Sequence, residues 1–232
     1  MKTRVTILAL LLTYAGRLNA LDKVPLDTIV SRMMDHKRWQ DEALLEYRAR
    51  RYFQAANPRF NVDSSMEVES IFRRTAPLRS TILQKKGSKL IQDRVFQKIL
   101  EAECEVTGQK EREKIDITPE NYQFSFLGTD VYEGREVYRL GLTPKRASQY
   151  LVHGTVWVDA DDFGIARITG SLAKRPSFWT VRVTVDRLYQ NVQGIWLPRR
   201  IESISDIVIA GSSTLSVDYT YLDVRTGSGA LE

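Results

Sequence analysis

Two segments of the chain place apolar residues at the spacing of an amphipathic helix. Residues 26–42 form the first segment, with Pro25 or Asp27 near its start. The second begins at Ser88, a favourable N-cap, and Gly108 is a natural stop. Its apolar stripe consists of Ile91, Val95, Ile99, Ala102 and Val106, widened by Phe96 and Leu100. The sequence therefore predicts two helices that each bury one side.

Most of the remaining chain alternates apolar and polar positions with the period of a β-strand. The predicted strands are 44–57, 60–72, 77–84, 122–126, 137–142, 155–159, 165–172, 176–190, 195–209 and 215–221. Turn residues link the later strands at Glu133-Gly134, Ala160–Gly164, Asn191–Gly194 and Gly211-Ser212. One face of the run after Pro176 is predicted to carry Trp179, Val181, Val183 and Val185. This pattern predicts an antiparallel meander with one apolar and one polar face.

A sheet with one apolar face must cover that face with another layer. The two amphipathic helices are the available cover, so we predict an α+β fold: a curved antiparallel sheet with helices packed into its concave, apolar side. No repeat, low-complexity stretch or proline-rich linker divides the chain. Residues 21–232 are therefore expected to form one domain.

The first twenty residues have the three parts of a secretory signal peptide. Lys2 and Arg4 provide a positive start, an apolar run covers residues 5–15, and the small residue Ala20 ends the segment. The run is shorter than the ~20 residues of a membrane span. We therefore expect cleavage after Ala20 and a soluble exported protein, without a lipid anchor because Leu21 is not cysteine. A buried N-terminal helix or a retained membrane anchor is the alternative.

Charge and cysteine content narrow the class of function. Removal of residues 1–20 would lower the formal net charge from +5 to +2, because the segment holds three basic residues and no acid. The remaining pairs of basic residues are scattered along the chain, whereas a nucleic-acid-binding protein concentrates them on one face. The single cysteine, Cys104, lies between two glutamates and is expected to be inert.

The sequence contains no recognisable catalytic or metal-binding pattern. His36 and His153 lie far apart, and no Gly-x-Ser-x-Gly, His-Glu-x-x-His or phosphate-loop motif is present. Residues 159–162 hold three aspartates, but Phe163 stands where a calcium loop needs a ligand. We interpret this cluster as a polar hairpin turn. The prediction is a protein without catalysis, cofactor or metal; a hydrolase that depends on His153 is the lowest-ranked alternative.

A family resemblance rests on four segments of the later strands. These are residues 138–145, residues 154–168, Trp196-Leu197-Pro198 and residues 218–221. They resemble periplasmic proteins of the outer-membrane lipoprotein-sorting family, the LolA/LolB/RseB-like superfamily, over residues 40–224. The similarity is greatest to a branch with no assigned activity. The resemblance implies an unclosed half-barrel whose concave apolar cavity is lidded by helices.

The resemblance also implies a function and partners. Founding members of the family shield lipoprotein acyl chains from water, which implies a periplasmic carrier or binding protein for lipid or acylated lipoprotein. A relative senses envelope stress by binding a partner protein, so an envelope-stress regulator is the alternative. The implied partners are lipid or lipoprotein acyl chains and a membrane-bound donor or acceptor protein. Nucleic acid is not expected as a partner, and the protein is expected to be a monomer.

The inward-facing strand residues are the candidates to line such a cavity, although ordinary core packing also explains each of them. They are Tyr122, Phe124, Phe126, Trp179, Val181, Val183, Leu215, Val217 and Tyr219. Met33 and Met34 on the first helix are candidates for an adaptable lid, with core filling as the alternative. An arginine holds the lid closed in the family's carrier, but no motif aligns Arg48 or Arg50 with it. That role is therefore not assigned to either residue.

Overall fold

The alternating segments pair into one sheet of ten strands, flanked by two helical segments. The computed structural model describes residues 24–105, 113–208 and 211–227, apart from the side chains of residues 104 and 105; the predicted signal peptide lies outside these ranges. Helix α1 is Leu26–Ala43. Segment α2 covers residues 89–105: it is α-helical at Lys89–Ile91, π-helical at Gln92–Phe96 and α-helical at Gln97–Glu105. The strands are β1 Leu44–Asn57, β2 Val62–Arg73, β3 Ala76–Gly87, β4 Tyr122–Tyr132, β5 Arg135–Pro144, β6 Val152–Asp159, β7 Ile165–Leu172, β8 Thr180–Val192, β9 Ile195–Ile207 and β10 Gly211–Thr226.

The sheet is antiparallel throughout and is not closed into a barrel. Its strand order is β3-β2-β1-β10-β9-β8-β7-β6-β5-β4, so β3 and β4 are the two edges. Two-residue turns with positive φ at both residues join β4 to β5 and β8 to β9: Glu133 (52°) and Gly134 (80°), then Gln193 (56°) and Gly194 (85°). Turns of this type match the twist of the strands that they join. The predicted α+β fold with an unclosed half-barrel is confirmed.

The two helical segments cover different parts of one sheet face, which we call the inner face. Helix α1 buries Ile29 and Met33 against an apolar cluster from β4 to β8. Segment α2 buries Phe96 and Leu100 against β1, β2 and β10. A third cluster, which includes Ala43, joins the end of α1 to β1, β9 and β10. The helices therefore lie over opposite halves of the sheet.

The predicted stripe of α2 is rotated relative to the observed one. Phe96 and Leu100 are the buried residues, whereas Ile91, Val95 and Ile99 are half-buried at the margin of the cluster, and Ala102 is exposed. Val106 and Gly108 lie outside the described residues. A π-helical turn holds about one residue more than an α-helical turn, so the buried positions shift relative to a constant helical period.

A β-bulge in β8 changes the predicted direction of two side chains. Thr180 pairs with Ile207 and Arg182 pairs with Asp206, so Val181 is the extra residue. Thr180 therefore shares the inner face with Val183, and it is buried. Trp179 and Val181 are 56% and 54% exposed. The prediction that these two residues face inward with Val183 is wrong, because strict alternation fails at a bulge.

Candidate functional site

The inner face of the central strands lies between the two helix-covered clusters. The cluster beneath α1 reaches Val185 on β8, and the cluster beneath α2 reaches Leu215 on β10. On β9 between them, Ser203 pairs with both residues, and Ser205 pairs with Val183. Serine side chains are too small to bridge the two clusters. From this pairing we infer a groove along β8–β10, which we call the inner groove. Its residues are all half-buried: Arg187, Tyr189, Ile201, Ser203, Leu215 and Tyr219.

Two tyrosines show how deep this groove is. Burial raises the pKa of Tyr189 and that of Tyr219, although nearby Arg187 and Arg51, respectively, act in the opposite direction. Both side chains nevertheless retain some solvent exposure. A side chain that is surrounded by protein and still touches solvent lies on the floor of a cleft. The groove is thus a concave surface with an aromatic floor.

A cavity of about 200 Å³ continues the groove beneath α1. Its apolar side includes Met33, Ile117 and Ile168, and its polar side includes Lys37 and Gln40. Arg187 and Tyr189 line the cavity as well as the groove. Lys37 is paired with Asp41 at 2.7 Å and with Asp116 at 3.1 Å. An apolar cavity of roughly 150 Å³ can hold a benzene molecule, so this space suffices for a short hydrocarbon segment.

His36 lines the same cavity and is only 8% exposed. Neither of its ring nitrogens has a hydrogen-bond partner of acceptable geometry among the described residues. Its ring packs against Trp39 with 5.3 Å between centroids. Burial lowers the pKa of His36 and outweighs the opposing attraction of Asp162 and Asp159. The imidazole is therefore neutral at pH 7. His36 thus adds no charge to the cavity that would disfavour an apolar ligand.

The lowered pKa of His36 predicts a pH-dependent stability. Below about pH 6.5 the unfolded chain takes up the His36 proton before the folded protein does, so the free energy of unfolding falls as the pH drops. His36→Phe keeps an aromatic ring and removes this proton. Urea unfolding at pH 7.5 and 5.5 should show a smaller loss in the variant, by up to about 1 kcal/mol. His153→Phe, at an exposed histidine, is the matched control; equal losses in all three proteins would contradict the prediction.

A buried arginine fastens α2 to the sheet. Arg51 on β1 is 2% exposed and donates from Nη1 to both carboxylate oxygens of Glu103 on α2, each at 2.8 Å. Its Nε donates to Ser70 Oγ at 2.8 Å, and its Nη2 donates to Ser80 Oγ at 3.1 Å. The guanidinium also lies 5.8 Å from the centroid of the Tyr219 ring. The residue that holds α2 against the floor of the groove thus contacts the groove itself.

The structure divides the predicted site residues into three groups. Tyr122, Phe124, Phe126 and Val183 belong to the cluster beneath α1, and Leu215, Val217 and Tyr219 belong to the cluster beneath α2. Trp179 and Val181 are exposed, as described above. Among the first two groups, only Leu215 and Tyr219 face the inner groove while remaining partly accessible.

The two lid candidates on α1 differ from each other. Met33 is 1% exposed, packs in the core and lines the cavity. Met34 is half-buried at the margin of that core.

Sequence reasoning missed Arg51, Arg187, Tyr189 and His36 as residues of the groove and cavity. The alternation of β8 after Val183 continues through residues 185, 187 and 189, so the same pattern could have included Arg187 and Tyr189. Arg51 also lies in phase with Phe53 on β1. A charged residue at an apolar position of a strand is the signal that could have identified it.

The aspartates of residues 159–162 and Trp196 stabilise the turn between β6 and β7. Asp159 is fully buried, and its Oδ1 accepts hydrogen bonds from the backbone N–H groups of Asp161 and Asp162. The same carboxylate is paired with Arg135. Asp162 accepts from Trp196 Nε1 at 3.0 Å. The interpretation of this cluster as a polar hairpin turn is confirmed.

Comparison with known protein families matches the later strands. Residues 116–222 match the model of a family of unknown function, DUF5686. This match covers β4–β9 and most of β10, and it excludes both helical segments. A search of curated proteins returned no match.

Several solved structures resemble the chain over most of its length. An outer membrane lipoprotein-sorting protein domain from Vibrio parahaemolyticus is 14% identical, with 88% of this chain and 94% of that chain covered and a TM-score of 0.46. A LolA superfamily protein from Nitrosomonas europaea is 14% identical, with coverage of 84% and 94% and a TM-score of 0.42. The MucA/MucB complex of Pseudomonas aeruginosa contains a chain that is 8% identical, with coverage of 86% and 99% and a TM-score of 0.29. All three likenesses lie at 14% identity or less with TM-scores below 0.5, so the function is argued below from this chain's own residues.

Proposed function

We propose that the protein binds the acyl chain of a lipid or of an acylated protein in the inner groove, outside the cytoplasm and without catalysis. The observation that carries the proposal is the separation of the two apolar clusters by Ser203 and Ser205. An ordinary core would fill this space with large side chains. Each acyl CH₂ that enters the groove gains about 0.8 kcal/mol.

The contacts of α2 support reversible binding. Beyond the Arg51–Glu103 pair, Phe96 and Leu100 are the only buried ones among the described side chains of this segment, and Ile91, Val95 and Ile99 are half-buried. An element with so few buried apolar contacts opens at low free-energy cost. Opening of α2 would give an acyl chain access to the groove, and its closure would shield the chain from water.

The first test is mass spectrometry of organic extracts of the protein, purified without detergent from the cells that produce it. A stoichiometric lipid or acyl-peptide would support the proposal and identify the cargo. An empty protein that instead forms a stable complex with the periplasmic segment of a membrane protein would favour the envelope-sensing alternative.

A groove-filling variant gives a direct test of the binding site. Ser203→Trp should weaken the binding of a fluorescent fatty acid about tenfold or more, because the indole displaces at least two methylene groups from the groove. Ile204→Trp places the same side chain on the opposite face of β9, where Ile204 is 38% exposed, and is the matched control. Unchanged affinity in a folded Ser203→Trp variant would contradict the groove assignment.

A further inference from the structure

The most exposed apolar side chains gather at one end of the sheet. Among the described residues, the six most exposed large hydrophobic side chains are Phe178 (88%), Leu90 (64%), Val208 (62%), Tyr150 (59%), Phe60 (57%) and Trp179 (56%). All six lie in loops or at element ends on the side where β1, β3, β5, β7 and β9 finish. We call this end the aromatic rim. Exposed apolar groups at this density mark interaction surfaces, whereas singly scattered ones do not.

Backbone contacts join three loops of the aromatic rim: the β5–β6, β7–β8 and β9–β10 loops. Val208 N–H donates to Trp179 C=O at 3.0 Å, which links the β9–β10 and β7–β8 loops. Ala173 N–H donates to Leu151 C=O at 2.8 Å, which links the β7–β8 and β5–β6 loops. Phe178 and Trp179 pack edge to face with 5.5 Å between ring centroids. The rings are thus held in place on the surface rather than folded back into the core.

The charge of the rim is strongly positive. Its segments 58–61, 85–90, 145–151 and 173–179 contain one, three, two and two basic residues, all exposed, and no acidic residue. The nearest acids in sequence are Asp63, Asp93 and Asp206, and the segment 113–121, which contacts Lys145 and Arg146, adds Glu113, Asp116 and Glu120. At the opposite end, the turns at 74–75, 133–134, 160–164 and 193–194 contain three acids and one base. Arg199 pairs with Glu133 and Arg135 pairs with Asp162 at that end, so the excess of charge lies at the rim.

We propose that the aromatic rim docks the protein end-on to an anionic lipid bilayer surface. Tryptophan and other aromatic rings are favoured at the level of the lipid headgroups, and exposed lysine and arginine beside them attract anionic headgroups. No helix among the residues that the structure covers is long and apolar enough to cross a membrane. The proposed docking is peripheral, and it does not depend on ligand binding in the inner groove.

Vesicle co-sedimentation of the purified protein tests this proposal. Binding is expected to vesicles of phosphatidylcholine mixed with phosphatidylglycerol, to weaken with salt, and to be much weaker with phosphatidylcholine alone. Phe178→Ser combined with Trp179→Ser should weaken binding about tenfold or more, and so should Lys174→Glu combined with Arg175→Glu.

Two double variants away from the rim serve as matched controls. Tyr52→Ser with Leu222→Ser removes exposed apolar side chains from the strands, and Arg48→Glu with Lys98→Glu reverses exposed charges. Both should bind as the unaltered protein does. Equal losses in rim and control variants would overturn the proposal, as would rim variants that keep full vesicle binding but lose a complex with an envelope protein.

Fluorescence gives a second measurement that does not depend on affinity. Brominated lipids in the vesicles should quench the tryptophan emission of the protein, and Trp179→Phe should remove most of that quenching. Quenching that persists in Trp179→Phe would place another tryptophan at the bilayer and overturn the end-on orientation.

Discussion

Replacing Glu103 by leucine is expected to lower the free energy of unfolding by about 3–5 kcal/mol. The substitution leaves the Arg51 guanidinium without its carboxylate in a site where it is 2% exposed. Burial by itself would lower the pKa of Arg51, and the attraction of Glu103 outweighs that effect, so the pKa is raised. Without Glu103 the buried charge keeps the two serine hydroxyls and the ring of Tyr219 as partners, and its carboxylate partner is lost.

Removing Arg51, the other partner of the pair, should lower the free energy of unfolding by less than Glu103→Leu does. Glu103 is 29% exposed, so after Arg51→Met its carboxylate can be hydrated. The double variant, Arg51→Met with Glu103→Leu, should lie within about 2 kcal/mol of the unaltered protein, because no buried charge remains. Urea unfolding of the four proteins measures these differences, and hydrogen exchange at residues 97–103 shows whether α2 opens locally. Equal costs for the two single variants would contradict this account of the pair.

Replacing Gly154 by alanine is the second substitution with a large expected effect, about 3 kcal/mol or more. A Cβ at this position on β6 would lie 2.0 Å from Thr169 O and 2.6 Å from Gly170 Cα. Both are backbone atoms of the neighbouring strand β7, where Gly154 pairs with Gly170. Relief therefore requires the two strands to separate, which breaks ladder hydrogen bonds between β6 and β7.

Gly141→Ala on β5 is the control for the Gly154 substitution. Its Cβ would lie 2.4 Å from Ser125 Oγ, the end of a side chain that can rotate. We expect a cost below about 1 kcal/mol for this variant. Thermal and urea unfolding of the two variants measure the contrast. A similar cost at both positions would show that the close approach of β6 and β7 does not constrain Gly154.

The elements of the fold were largely predictable because their signals are local. Helix α1 was predicted at residues 26–42 and is found at Leu26–Ala43, and strand β7 lies at its predicted position. The turns at residues 133–134 and 193–194 were also predicted, since glycine in a short polar sequence marks a hairpin. Errors arose where the backbone leaves its regular period, at the bulge of Val181 and at the π-helical turn of α2.

The candidate site was predictable only in part. Alternation identified Leu215 and Tyr219, which face the inner groove, but it also assigned Val183 and Tyr122, which are packed core. A periodic pattern distinguishes the inner face from the outer face, and it cannot tell a filled part of the inner face from an open one. That difference depends on where the helices lie over the sheet.

The sequence by itself determined the strand alternation, the two amphipathic helices and the hairpin turns, because each depends on residues that are neighbours in the chain. Only the tertiary structure decided what those elements do together. It pairs Arg51 with Glu103 across 52 positions, leaves one part of β9 uncovered between two clusters, and gathers Phe60, Tyr150 and Phe178 at one end. These relations depend on the order of ten strands and the placement of two helices, which are set by contacts between distant parts of the chain.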